Sequence, residues 1–121
     1  MKKIRLGIGY VFLVFSVFLE SSFAKPTQPV SDREHENNCR MYMQIAEGIM
    51  RAKQNGLSLA KALEFNDETN IKMKDDNMHK IMKLMIVDAY KQPSYTSSSV
   101  KQEQLNDFSA KYYIGCSEMY N

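Results

Sequence analysis

Apolar side chains recur at helical spacing in two long stretches of the chain. In the first, from Ser31 to about Asn55, the recurring residues are Cys39, Tyr42, Met43, Ala46, Ile49 and Met50. In the second, from about Asp75 to Lys91, they are Met78, Ile81, Met82, Met85, Ile86 and Ala89. Because steps of three and four residues place such a set on one face of a helix, both stretches predict amphipathic helices.

Polar and conformationally special residues mark the ends of these two helices. Ser31, with Glu34 three residues later, forms a capping-box pattern in which each side chain can accept a backbone N–H at a helix start. Gly56 is placed to end the first helix in the left-handed conformation. Pro93 lies just beyond the other helix and cannot continue it.

The stretch between these helices carries a weaker pattern. Ser58 can cap a short helix from Leu59 to Phe65. The inward side of this helix is expected to consist of Leu59, Ala60, Leu63 and Phe65. The segment from Asn66 to Asn77 is rich in Asn, Asp and Lys, and only Ile71 and Met73 offer apolar side chains to bury. We therefore expect this segment to be a loop.

The last part of the chain predicts one more helix. Ser99 with Gln102 is a second capping box, which follows a connector of turn-forming residues at 92–99. The apolar face of this helix is expected to carry Leu105, Phe108, Tyr112, Cys116 and Met119. Since no stretch shows the alternation and β-branched enrichment of a strand, the sequence predicts an all-α fold, a small four-helix bundle.

The first 24 residues form the three-part pattern of a secretory signal peptide. Basic residues precede an apolar run from Leu6 to Leu19, and Ser22 and Ala24 place small residues before a possible cleavage site. The run is shorter than the roughly 20 residues of a membrane-spanning helix. We expect residues 1–24 to be removed on export to the bacterial periplasm, with no stable membrane insertion afterwards. The remainder is then a flexible leader at 25–30 and one helical domain at 31–121.

Cleavage changes the composition that bears on function. The whole chain has 16 Lys and Arg residues against 14 Asp and Glu, and 44% of its residues are hydrophobic. Residues 1–24 contain three of the basic and one of the acidic residues, so the exported chain carries 13 of each. A neutral chain with interspersed charges lacks the basic stripe that nucleic-acid binding needs, and we expect no nucleic-acid partner.

The only two cysteines are Cys39 and Cys116. Export would place them in an oxidising compartment, where disulfides form and persist. An intramolecular bridge would close a loop of 77 positions and tie the first helix to the last. A bridge between two chains and a reactive thiol are the alternatives, but the absence of a Cys-x-x-Cys motif disfavours the thiol. We predict a structural Cys39–Cys116 disulfide.

The sequence contains no recognisable catalytic motif. His35 and His79 lie in separate predicted helices, without a second histidine at metal-ligand spacing, and we interpret both as surface residues. We therefore predict that the protein is not an enzyme and holds no metal or cofactor. One question stays open, because Met78, Met82 and Met85 could be core residues or, with His79, ligands of Cu(I).

Tyrosines crowd the last third of the chain. Tyrosine supplies interface area while keeping a hydrogen-bonding group, so we predict Tyr95, Tyr113 and Tyr120 as partner-binding residues. Because Tyr112 and Tyr113 are adjacent on one helix, they cannot both face the core. The alternative is that the tyrosines fill a small core. The sequence leaves the oligomeric state open.

Three segments of the chain carry a resemblance to a known class of proteins. They are Asn38–Tyr42, the turn Ala89–Pro93 and the ending from Asp107 to Tyr120. Together they resemble the periplasmic immunity proteins that neutralise type VI secretion amidase effectors. Those are small exported α-helical proteins with a cysteine near each end, and they occlude the active site of a peptidoglycan amidase.

The resemblance implies a binding protein that inhibits a secreted peptidoglycan hydrolase. The alternative function is that of a periplasmic stress protein, similar to acid-activated helical chaperones, which are also small and carry one disulfide. Copper handling through the methionines is a third possibility.

Overall fold

The structure, a computed structural model, describes residues 31–119, and these form four α-helices without a strand among them. The helices are α1 (Asp32–Gln54), α2 (Leu59–Met73), α3 (Asp76–Lys91) and α4 (Ser98–Met119). The predicted all-α four-helix bundle is confirmed. The predicted signal peptide, the leader and Tyr120 lie outside the described residues.

The first helix begins and ends where the sequence predicts. It starts at Asp32, directly after Ser31, and it ends at Gln54. Gly56 adopts a φ of 95°, and its N–H bonds to the carbonyl of Lys53 at 3.0 Å. The N–H of Leu57 bonds to the carbonyl of Ala52 at the same distance. This pair of hydrogen bonds is the Schellman arrangement, in which glycine avoids the cost of a left-handed Cβ.

The predicted loop from Asn66 to Asn77 is wrong, because α2 continues to Met73. Asn66 is buried, and its amide donates to the backbone carbonyl of His79 in α3 at 3.0 Å. A polar side chain that apolar patterning treats as a surface residue therefore joins α2 to α3. Lys74 directly follows the helix and has a φ of 54°, and Asp75 caps α3 by accepting the Met78 N–H at 3.1 Å.

The predicted inward side of α2 is also wrong. Ala62 and Asn66 are its buried residues, whereas Leu59, Ala60 and Phe65 are exposed. The close packing of α2 against α3 fixes this orientation, since the Asn66 hydrogen bond is made from the side that also carries Ala62. Leu63 is half-buried, and Ile71 and Met73 stay exposed.

The last helix differs from its prediction at both ends. It begins at Ser98 rather than after Ser99, with the carbonyl of Ser97 accepting the N–H of Lys101 at 3.0 Å. Ser99 is the second residue of this helix and therefore does not cap it, and the Gln102 amide donates to Asn106 Oδ1 at 3.0 Å. Met119 was expected on the apolar face, but it is 79% exposed because the helix extends beyond its packed part.

The core is a small cluster formed by α1, α3 and α4. Its buried members are Ala46, Met50, Met85, Ala89, Leu105 and Phe108. Partly buried side chains pack around it, and they are Tyr42, Ile45, Ile49, Ile81, Tyr90 and Tyr112. The apolar faces predicted for the first, third and last helices are therefore the faces that pack. None of the described helices combines the length and the apolar character of a membrane span.

A polar network closes the end of the bundle where α1 finishes and α4 begins. The Gln54 amide donates to the carbonyl of Lys101 at 2.8 Å and to Gln104 Oε1 at 3.0 Å. The buried Gln104 donates in turn to the carbonyl of Pro93 at 2.9 Å. Lys53 donates to the carbonyls of Gln92 and Pro93, and partial burial lowers the pKa of its ammonium group. The connector between α3 and α4 is thereby tied to α1.

The predicted disulfide closes the opposite end. Cys39 and Cys116 are both buried and bonded to each other, with their Cα atoms 5.4 Å apart. Cys39 lies near the start of α1 and Cys116 near the end of α4, so the bond joins an antiparallel pair of helices.

Replacing Cys39 or Cys116 with Ser should lower the thermal stability strongly. The chain-entropy model gives a crosslink of this span about 4.5 kcal/mol as an upper figure. The double variant should be no less stable than either single variant, because the same bond is lost in every case. Thermal unfolding followed by circular dichroism measures the effect. Equal melting temperatures for the oxidised and reduced wild-type protein would contradict the prediction.

Candidate binding groove between α1 and α2

An apolar groove runs between α1 and α2. One half of it, here called the apolar half, is a cavity of about 370 Å³. Its lining residues are Gly48, Ile49 and Ala52 of α1, Leu57, Ala62 and Phe65 on the α2 side, and Met82 and Ile86 of α3. Polar groups contribute very little to this surface, so water gains few hydrogen bonds there.

The second half, here called the methionine half, is a cavity of about 280 Å³. It is bordered by Met41 of α1, Met73 of α2, and Met78 and Met82 of α3. Met82 lines both cavities, so the two halves are neighbours, and together they are called the α1–α2 groove.

Several side chains that border the groove are exposed although they are apolar. Phe65 is 63% exposed and Met73 is 72% exposed, and Met41 and Leu57 are also exposed. Single exposed apolar residues are normal on protein surfaces, but a contiguous set marks an interaction site. Apolar patterning missed the exposure of Phe65 because it places this residue on the inward side of α2.

His79 has a more specific environment than the surface position predicted for it. Its side chain is only 28% exposed and borders the methionine half. Its Nε2 lies 2.8 Å from Oδ1 of Asp67. An ionised carboxylate can only accept a hydrogen bond, so Nε2 carries the proton and, in the neutral ring, Nδ1 keeps its lone pair.

The three methionines left open by the sequence fall into two groups. Met85 is fully buried in the core cluster, whereas Met78 and Met82 are half-buried and line the methionine half. Met41 and Met73 join them there, from helices that the sequence pattern did not connect with α3. Within residues 31–119, no three His, Cys, Asp or Glu side chains are grouped closely enough to hold a metal ion.

The structure does not bring the predicted tyrosines together. Tyr95 borders a separate polar cavity of about 300 Å³ beside Glu103 and Asp107, near the start of α4. Tyr113 is half-buried and donates its hydroxyl to both carboxylate oxygens of Glu36, at 2.7 and 2.9 Å. The lining of the Tyr95 cavity extends along α4 from Val100 to Lys111 and does not include Tyr113.

Glu36 interacts with two side chains at the disulfide end of the bundle. The hydrogen bonds from Arg40 and Tyr113 hold the pKa of the Glu36 carboxyl below its usual value. The same contact with Glu36 raises the pKa of the Tyr113 hydroxyl. Tyr113 therefore connects α4 to α1, which is a structural role beside the predicted binding role.

Tyr112 lies on another side of α4 and bonds to α3. Its hydroxyl donates to Asp88 at 2.7 Å, and Lys111 donates to the same carboxylate oxygen at 2.5 Å. Partial burial alone would raise the pKa of Asp88, but the hydrogen bonds from Lys111 and Tyr112 outweigh it and lower that pKa. Burial, followed by the bond to Asp88, raises the pKa of Tyr112.

Asp88→Asn should therefore destabilise the fold in a pH-dependent way. A carboxyl with a lowered folded-state pKa stabilises the fold above its unfolded pKa of about 3.9 and stops doing so as the pH falls through the folded value. At pH 7 we expect a loss of about 1 to 2 kcal/mol. As the pH falls through the lowered folded-state pKa of Asp88, the difference from wild type should shrink towards zero.

Denaturant unfolding of both proteins across this pH range tests the Asp88 prediction. Asp107→Asn, at an exposed aspartate of α4, is the control and should have little effect. A destabilisation by Asp88→Asn that is equally large at neutral and acidic pH would contradict a role for the carboxylate charge.

Comparisons with known protein families, with curated proteins and with solved structures found no match to this chain.

Proposed function

We propose that this chain is an exported binding protein that holds an element of a partner protein in the α1–α2 groove. The observation that carries the proposal is the pair of neighbouring apolar cavities between α1 and α2, which share Met82 as a lining residue. A methionine-lined apolar surface adapts its shape to a bound surface because the thioether side chain is flexible and polarizable.

The shape of the groove suits a partner helix. On α1 it is bordered by Met41, Ile45, Ile49 and Ala52, which recur at steps of three and four residues. At 1.5 Å per residue this border is about 16 Å long, which matches roughly three helical turns. An amphipathic helix binds such a groove by laying its apolar face along it. We therefore expect the bound element to be an amphipathic helix.

The partner proposed for this groove is a secreted cell-wall amidase. The resemblance of Asn38–Tyr42, Ala89–Pro93 and Asp107–Tyr120 to amidase immunity proteins supports this choice. The Cys39–Cys116 bond supports export, because disulfides are rare in reducing compartments. A partner helix that flanks the amidase active site would, once held in the groove, place this protein over the catalytic cleft.

The test fills the groove without removing a contact. Gly48 borders the apolar half, and a Cβ added to it would meet no atom within 4 Å. Gly48→Leu should therefore occupy the groove and weaken amidase binding at least tenfold, or about 1.4 kcal/mol. Calorimetric titration and inhibition of peptidoglycan hydrolysis measure the effect, with the amidase encoded next to this protein.

Gly115→Leu is the matched control. Gly115 is also helical and exposed with no atom within 4 Å of an added Cβ, but it lies on α4 and does not border the groove. Both variants should keep or slightly raise the melting temperature, because glycine inside a helix costs about 0.5 to 1 kcal/mol. Full inhibition by Gly48→Leu, or the absence of a hydrolase gene beside this one in several genomes, would count against the proposal.

A further inference from the structure

The methionine half of the groove contains a set of soft ligand atoms. Met41, Met73, Met78 and Met82 reach it from three helices, and His79 borders the same cavity. Cys39 and Cys116 are bonded to each other, so no free thiol is available as a ligand. Within the described residues, the sulfur atoms that can bind a metal ion are therefore the methionine thioethers. Four thioethers therefore line one cavity, whereas α3 alone contributes two of them, Met78 and Met82.

Thioether sulfur discriminates strongly between metal ions. It is a soft, neutral ligand that suits Cu(I), whereas carboxylate and carbonyl oxygens suit Mg²⁺ and Ca²⁺. Imidazole accompanies thioethers well because it binds copper in several coordination geometries. The donor set at this cavity therefore favours a soft monovalent ion over the harder divalent ions.

The hydrogen bond between His79 and Asp67 resembles those that orient metal-binding histidines. Metal-binding histidines commonly donate one ring N–H to a carboxylate, which fixes the tautomer and leaves the other nitrogen as the ligand. Here Nε2 is held 2.8 Å from Asp67 Oδ1, which leaves Nδ1 as the basic nitrogen. The pair joins α2 to α3, and His79 lines the same cavity as Met78 and Met82.

The charge around the cavity is compatible with a cation. Asp75 borders it, and neither lysine nor arginine is among its lining residues. The open volume of about 280 Å³ is larger than one ion, so the side chains must close around it. Methionine has three rotatable bonds, so its sulfur can move towards an ion without a shift of the backbone.

We infer that the methionine half is a Cu(I) site in which thioethers among Met41, Met73, Met78 and Met82 ligate the ion together with Nδ1 of His79. Binding is reversible ligation by neutral donors and involves no electron transfer. This inference does not depend on the proposed amidase partner, because the site is complete within one chain and its ligand is the metal alone.

The experiment titrates the exported protein, purified from a bacterial periplasm, with Cu(I) against a chromophoric Cu(I) chelator. We expect one ion per chain, a dissociation constant below micromolar, and no displacement by excess Zn(II). Ag(I), a redox-stable stand-in, is then added to protein carrying ¹³C-labelled methionine methyl groups. The methyl signals of Met41, Met73, Met78 and Met82 should shift, while those of Met50 and Met85 in the core should not.

Variants separate ligation from structure. Replacing Met78 and Met82 together with Leu keeps their approximate volume and should weaken Cu(I) binding by about 100-fold, at roughly tenfold for each thioether. Met43→Leu with Met119→Leu removes two thioethers that do not line this cavity and should leave the affinity unchanged. Asp67→Asn should weaken binding by about tenfold through His79.

Three results would overturn the inference. They are a dissociation constant weaker than micromolar, equal affinity in the Met78/Met82 variant and the wild type, and Ag(I) shifts spread over core and groove methionines alike. Thermal unfolding of each variant in the absence of metal shows that lost affinity does not arise from a lost fold. None of these results bears on amidase inhibition, which is measured without metal.

Discussion

The two longest helices of the bundle, α1 and α4, are held together near one end by the covalent bond between Cys39 and Cys116. The buried apolar cluster between them and α3 has only six residues, a small core for a domain of this size. A disulfide acts mainly by restricting the unfolded chain, so it stabilises the fold without requiring more buried side chains. An apolar residue of α1 such as Met41 can therefore border an open groove instead of filling a core.

The sequence predicted the fold well wherever helix formation and burial follow the same periodicity. On α1, α3 and α4, the apolar residues that recur every three or four positions are largely those that pack in the core. Gly56 ends α1 as predicted, because glycine has no Cβ and adopts the left-handed conformation without strain. The prediction was wrong for α2 because its inward contact is a polar one. Asn66 is buried through a hydrogen bond to α3, and no hydrophobic pattern contains that information.

The groove could be predicted only in fragments. The sequence indicates Met78 and Met82 as possible ligands. That Met85 lies in the core while Met78 and Met82 line the groove depends on which side of α3 faces the core. The convergence of Met41 and Met73 on the same cavity depends on how α1 and α2 lie beside α3, which side-chain spacing within one helix does not determine. The contact of Tyr113 could not be predicted for a related reason, since its hydrogen-bond partner Glu36 lies 77 positions away in the sequence.

The buried core cluster contains no residue of α2, the helix that forms one side of the groove. Contacts with α3 hold α2 in place, and its connection to α3 consists only of Lys74 and Asp75, while its opposite flank faces the open groove. The free energy of local unfolding rises with the number of buried contacts that a segment makes. We therefore expect α2 to have the lowest free energy of local unfolding among the four helices. A ligand held in the groove would add packing to α2, so its binding and the order of α2 would be thermodynamically coupled.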